Sequence, residues 1–342
     1  MIKNLIKILG ILLLTGFVIL AFIIFLPKNY NVPQLQKRKS TKYWSLKSGS
    51  EIAYTLIEAK GEKKPFPIIF LQGGPGGPIY DRNIEALKPL ADSGFDVYLY
   101  DQVGCGFSNR LENIEEYTAE RHKNDLEEIV GLIGSEKVIL IGQSWGAILA
   151  VLFAADNQEK VQKIIFTSPG PIQPGTRNLV EKKAPDSLEL IQPEYSNSQA
   201  NRKVQNQRMK FVSFLARNFG IKLTSDKEVD NFQTYLNSYL SKSTVCDTAF
   251  SPAPEAGGGY FSQIMTVNSF NEISDPRPKL LNTKIPVLVM KGQCDNQKWG
   301  FINEYLEIFP NHKFTIVSGA GHSISVEQPR LYLYSIQKFL SD

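Results

Sequence analysis

The ten residues Leu140–Leu149, LIGQSWGAIL, change character in the middle. An apolar run with strand character ends at Gly142. One serine follows, and from Gly146 onward the residues favour a helix. Gly142-Gln143-Ser144-Trp145-Gly146 satisfies G-x-S-x-G, in which a serine sits on a strained strand-to-helix turn that lifts its hydroxyl above the edge of a sheet. The flanking glycines are needed because a Cβ at either place would collide with the neighbouring strand or helix. The pattern is short and recurs by chance, so its surroundings carry its weight.

Those surroundings alternate. "KYWSLKSGSEIAYTLIEA" reads as a hairpin turning at Ser48-Gly49-Ser50. "FPIIFLQ" is a buried strand running into a glycine-rich loop, "NIEALKPLADSG" a helix, and "DVYLYDQ" a strand. Leu126, Ile129, Val130 and Ile133 recur at helical spacing, with His122 assigned to the polar side of that helix. "KVILIG" and "KIIFTSPG" flank the helix that follows Ser144. "IPVLVMKG", "FINEYLEIF", "KFTIVSG" and "LYLYSIQKFL" resume strand, helix, strand, helix. Such alternation predicts an α/β fold, a mostly parallel sheet with helices on both faces.

From Pro171 to Lys284 the alternation stops. Arg202–Phe219 reads as one helix stopped by Gly220. Ser225-Asp226-Lys227-Glu228 reads as a capping box, followed by an apolar stripe at Val229, Phe232, Leu236 and Tyr239. The expected organisation is a transmembrane anchor over 1–27, a linker over 28–42, core over 43–170, a helical cap over 171–284, and core again over 285–342. Gly257-Gly258-Gly259 is expected as a flexible loop, with a hinge at the cap edge as the alternative.

A serine hydroxyl needs a base. Of the three histidines, His122 and His312 are expected as solvated surface residues. His322, in "SGAGHSIS", follows the strand "KFTIV", and loops after parallel strands are where open α/β sheets build sites. Asp295, in "GQCD", follows another strand and is the acid that would fix the imidazole tautomer. An oxyanion hole needs convergent N–H donors. Trp145 N–H is one. The other comes from "QGGPGGP" and is assigned to Gly74, with Gly73 as the neighbouring alternative. That loop lacks the lysine-serine end of a P-loop and the spacing of a dinucleotide fingerprint.

Chain order Ser, Asp, His is that of α/β-hydrolases. "GGPGGP", "DQVGCGFS", "GQSWGAIL", "GQCD" and "GAGHS" together resemble the proline iminopeptidase family of that superfamily. The resemblance covers about 66–171 and 285 onward. It implies release of an N-terminal residue, often proline, from peptides or amides, with Ser144, Asp295 and His322 matching the family's triad. Three departures concern specificity. Gln72 stands where the family usually has histidine, and Val103 where it usually has arginine. The cap, with no tryptophan, lacks the tryptophan–glutamate motif that helps hold the substrate amine. Glu181, Glu189, Glu194, Glu228 and Glu255 are cap acids, none singled out.

Composition bounds the rest. Charged residues are 21% of 342, hydrophobic ones 42%, and the net charge is +4 with lysines scattered. That charge pattern gives no nucleic-acid face. Cys105, Cys246 and Cys294 are too few and too far apart to read as a disulfide framework or zinc site. No metal or organic cofactor is implied. Ile8–Leu26 is uncharged, flanked by Lys3, Lys7 and Lys28, and long enough to span a bilayer. It is expected as an uncleaved signal anchor, N-terminus in the cytoplasm and catalytic part outside. The expectation is a membrane-anchored serine hydrolase acting on a small peptide, amide or ester. The alternatives are an esterase on the same triad and a non-catalytic binding protein on the same fold. Epoxide hydrolase and dehalogenase chemistry would need aspartate in place of Ser144.

Overall fold

The computed structural model describes residues 2–172 and 177–342, so residues 173–176 of the expected cap lie outside the described residues. The first helix, α1 (Ile2–Phe25), carries the stretch Ile6–Phe25, long and apolar enough to cross a membrane. Its most apolar part is not buried against the rest of the chain, and a signal sequence has the same character.

Eight strands follow: β1 (Lys42–Ser45), β2 (Glu51–Ile57), β3 (Ile68–Leu71), β4 (Val97–Tyr100), β5 (Val138–Gln143), β6 (Val161–Thr167), β7 (Val287–Gly292) and β8 (His312–Val317). They form one sheet in the order β1-β2-β4-β3-β5-β6-β7-β8. β1 and β2 are the antiparallel hairpin at one edge, and every pairing from β4 to β8 is parallel. Helices α2 (Asp81–Asp92), α3 (Ala119–Ile133) and α4 (Trp145–Asp156) connect the early strands.

Side chains along a strand alternate between faces, and the core divides accordingly. Ile69, Leu71, Leu140, Phe166 and Val289 face one cluster with α3 and α4. Ile68, Phe70, Ile141, Ile165 and Met290 face the other, with α2. Strands buried on both faces explain why these segments read as unbroken apolar runs.

Between β6 and β7 run α5 (Arg177–Glu181), α6 (Asn197–Val204), α7 (Gln207–Phe219), α8 (Asp226–Leu240), α9 (Tyr260–Asn268) and α10 (Arg277–Leu280). The helix expected over Arg202–Phe219 is two, because Asn206 leaves helical geometry and its side chain accepts from Met209 N. Gly220 ends α7 with φ +64°, as its position suggested. Ser225 caps α8, but Glu228 does not reach back to complete a box; its carboxylate pairs with Arg208. The triple glycine lies in a loop before α9, and its last residue is closely packed. Gly259 N–H donates to Gly76 O at 2.8 Å, and a Cβ on Gly259 would lie 2.1 Å from Gly104 O. Glycine there lets three loops touch backbone to backbone.

The chain ends through α11 (Trp299–Ile308), α12 (Ile324–Glu327) and α13 (Pro329–Ser341). Tyr332, Ile336 and Phe339 of α13 join the α2 side of the sheet, while Ile302, Tyr305 and Ile308 of α11 join the other.

Candidate active site

The loops after β3, β5, β7 and β8 all leave the same end of the parallel sheet, so residues far apart in sequence converge there. Ser144 follows β5 directly. It has φ +53° and ψ −113°, a conformation that L residues rarely adopt. Steric crowding holds the turn. A Cβ on Gly146 would meet Leu71 O at 1.9 Å, and one on Gly142 would meet Gly146 O at 2.5 Å. The first turn of α4 can therefore approach the end of β3 only with glycine at these two places.

His322 follows β8, and Asp295 follows the adjacent β7. His322 Nδ1 donates to Asp295 Oδ1 at 2.9 Å, and Gln297 N–H donates to the same oxygen at 3.0 Å. Asp295 is buried. Burial alone would raise its pKa, but the His322 and Lys291 charges and the hydrogen bonds outweigh it and hold the carboxyl at about 2. Ser144, His322, Gly73 and Gly74 line one open cleft of roughly 190 Å³, together with Tyr80, Arg82 and Asn237. Among the described residues, Ser144 Oγ makes no direct hydrogen bond to His322.

Neither Gly74 N–H nor Trp145 N–H has an acceptor among the described residues, whereas Gly73 N–H is occupied by Gln72 Oε1 at 3.1 Å. Gly73 lies closest to the serine: a Cβ on it would sit 3.2 Å from Ser144 Cβ. Gln72 is a buried strut, its amide donating to Pro78 O and Asn83 Oδ1. Gln102 continues the frame, donating to Gln72 O and accepting from Trp145 Nε1.

Three features run against the sequence reading or lay outside it. His122 is not solvated. It is buried in α3, shares a 3.0 Å hydrogen bond with Thr266 Oγ1, and packs edge-on to Trp145. Burial, with a smaller push from Arg121, lowers its pKa to about 3. Its spacing of four and seven from Leu126 and Ile129 was the available signal. Lys291, in β7, is buried with its ammonium 3.5 Å from Asp295 Oδ2, donating to Asp295 O and Gln297 O. A lone lysine closing an otherwise apolar strand, four residues before the acid, was the signal for it. Cys246 and Cys294 form a single disulfide, a pairing that the three scattered cysteines did not suggest. The bond ties the stretch between α8 and α9 to the residue before Asp295. His312 begins β8 at the exposed edge of the sheet and takes no part.

None of the five cap acids lines the cleft itself. Glu228 is buried against Arg208, Glu255 pairs with Arg82, and Glu181, Glu189 and Glu194 do not line the cleft.

An alpha/beta hydrolase fold profile matches residues 67–329, a span reaching from the start of β3 past His322. The chain belongs to this family. Among the relatives of this alpha/beta hydrolase, the proline iminopeptidase of Saccharolobus solfataricus is 25% identical over 300 residues, 85% of this chain and 89% of the relative. The proline iminopeptidase of Lactobacillus delbrueckii subsp. lactis is 38% identical over 106 residues, 30% of this chain and 35% of the relative. An esterase from Thermogutta terrifontis superposes with a TM-score of 0.60 at 18% identity, covering 88% of this chain and 98% of the other. An esterase from Exiguobacterium antarcticum gives a TM-score of 0.60 at 13% identity, covering 88% and 99%. These two structures establish likeness of fold alone.

Proposed function

We propose that this alpha/beta hydrolase is a serine hydrolase whose nucleophile is Ser144. His322 takes the hydroxyl proton as Ser144 attacks the substrate carbonyl, and returns it to the leaving group. Asp295 fixes the imidazole with its proton-bearing nitrogen inward and stabilises the cation that forms. The N–H groups of Gly74 and Trp145 receive the negative charge on the carbonyl oxygen. Water then hydrolyses the acyl-enzyme by the reverse proton traffic. The observation that carries this reading is the hydrogen-bonded pair of buried Asp295 and half-buried His322, whose imidazole shares a cleft with a serine held at positive φ. The two acceptor-free amides support Gly74 over Gly73 as the second donor.

The substrate class follows the relatives. We read the activity as proline iminopeptidase-like removal of an N-terminal residue from small peptides or amides, under a helical cap spanning 171–284. One observation favours a second reading, hydrolysis of esters or other acyl compounds. Among the described residues lining the cleft there is no carboxylate to hold a free amine, and the charged Arg82 is already paired with Glu255. A buried ammonium without a paired acceptor is costly.

Helix α1 is read as a membrane anchor with the catalytic part outside the cytoplasm. The Cys246–Cys294 disulfide supports that side, since such bonds persist in oxidising compartments.

A fluorophosphonate probe tests the nucleophile: wild type labels at Ser144 and Ser144→Ala does not. Persistent labelling of Ser144→Ala places the nucleophile elsewhere. The His322→Ala variant should lose about three or more orders of magnitude in kcat. Prolyl and other aminoacyl arylamides, free and N-blocked, run beside short-chain nitrophenyl esters, separate the substrate readings. A preference for the free amine supports the peptidase; turnover of esters alone supports the second reading.

A further inference from the structure

The last turn of α1 is fastened to α7 and α8 by polar contacts at its exit. Arg208 on α7 is buried and holds Glu228 of α8 through two bonds, at 2.6 and 2.7 Å. The same guanidinium donates to Ile24 O at 2.6 Å, one of the carbonyls a helix leaves unsatisfied at its C-terminal end. Glu228 Oε1 also accepts from Lys28 N–H at 2.8 Å. The Phe25 ring meets Phe211 edge-on at 6.2 Å. Tyr30 packs on Phe232 and Tyr235 and bonds Asn206 through its hydroxyl. The chain leaving α1 is thus clamped to the body within a few residues of its apolar stretch, with no free tether between them.

From that clamp an apolar strip continues along the outside of α7. Phe214 lies one turn beyond Phe211 and is 51% exposed; Phe219 is 60% exposed and Ile221 46%. The rings of Phe214 and Phe219 touch at 5.7 Å. The strip reaches about 12 Å from Phe211 to Phe219 at the helical rise of 1.5 Å per residue. Lys210 and Arg217, one turn before and one turn after Phe214, are exposed on the adjoining stripe of α7, beside a groove against α8 and α9, and have no acidic partner among the described residues. Large apolar side chains in water, flanked by unpaired cations, are the composition of a surface that lies in the boundary between headgroups and acyl chains.

We propose that this face of α7 and the following turn, Phe214, Phe219 and Ile221 with Lys210 and Arg217, rests on the bilayer surface beside α1. The occupant is an anionic lipid surface. The inference rests on the reading of α1 as a membrane anchor and adds to it that the catalytic body has a fixed face toward the membrane. Continuity is the argument. With Ile24 O capped by Arg208, the end of the span lies at the level of α7, so the bilayer that encloses α1 meets the strip within one helix length.

The test uses the full chain in nanodiscs of phosphatidylcholine and phosphatidylglycerol. Native cysteines do not interfere, because Cys105 is buried and the others are joined. Spin labels go in turn on Leu12→Cys in α1, Phe214→Cys, Phe219→Cys, and Tyr334→Cys on the exposed side of α13. Accessibility to oxygen is compared with accessibility to a water-soluble nickel chelate. The expected result is an oxygen-to-nickel ratio severalfold higher at Leu12, Phe214 and Phe219 than at Tyr334. Lipid-like behaviour at Leu12 with water-like behaviour at Phe214 and Phe219 would overturn the docking face and leave the anchor standing. Water-like behaviour at Leu12 would remove the anchor and this inference with it. Occlusion of Phe214 from both reagents, with spin–spin broadening, would assign the strip to a second copy of the chain and overturn the proposal.

Discussion

Reduction of the Cys246–Cys294 disulfide should cost stability and turnover together. The bond closes a loop with a sequence separation of 48. In the chain-entropy account, removing a cross-link of that span frees the unfolded chain by about 4 kcal/mol. For a chain of this size, with an unfolding entropy of about 0.7 kcal/mol/K, that corresponds to a fall in Tm of roughly 6 °C. The folded state does not fall apart on reduction, because polar contacts stitch the same region. Glu327 accepts from Cys246 N and Gly321 N, Ser323 N donates to Thr244 O, and Asn296 donates to Ser243 O. The entropy released on reduction is therefore gained chiefly by the unfolded chain. Turnover suffers because Cys294 immediately precedes Asp295, and Gly321 and Thr244 flank the His322 loop. The assay is thermal unfolding of the full chain in detergent, oxidised against reduced and alkylated, with Cys246→Ala/Cys294→Ala as the covalent control. Identical melting curves, or alkylation of Cys246 and Cys294 without reductant, would refute the reasoning.

Two further outcomes follow from buried titratable groups. His122 is held neutral, its pKa lowered from 6.5 to about 3, so between those values the unfolded chain binds the extra proton. Stability rises with pH across that window and is lost as pH falls from 6.5 toward 3, by roughly 5 kcal/mol at most. His122→Gln should flatten this part of the stability–pH curve measured by urea unfolding, and an unchanged curve would show that His122 is not the group responsible. Lys291→Met leaves Asp295 Oδ2 without its charged neighbour, and removing one partner of a buried pair costs about 3–5 kcal/mol. Calorimetry should record that loss together with reduced kcat, and a variant as stable and active as wild type would mean that Lys291 does not support the acid.

By itself the sequence determined what short stretches of backbone determine. Apolar runs of strand length alternating with helical periodicity can bury their side chains only as a layered α/β sheet. The spacing of Gly142 and Gly146 about Ser144 is a local steric requirement, visible in the text of the chain and met again as the contacts with Leu71 O and Gly146 O. Asp295 and His322 were singled out by their places after apolar strands and by chain order, and they come within hydrogen-bond distance because parallel strands deliver their following loops to one edge. Tertiary structure decided whatever depends on residues distant in sequence. His122 looked solvated because its cover, Thr266, lies 144 residues away. Cys246 and Cys294 meet because the helical segment returns over the end of β7, a path that their spacing does not encode. Glu228 was free to complete a cap box until Arg208 and the backbone of Lys28 supplied stronger partners. Local sterics act within a few residues and are written in sequence; burial and ion pairing depend on what the fold brings alongside.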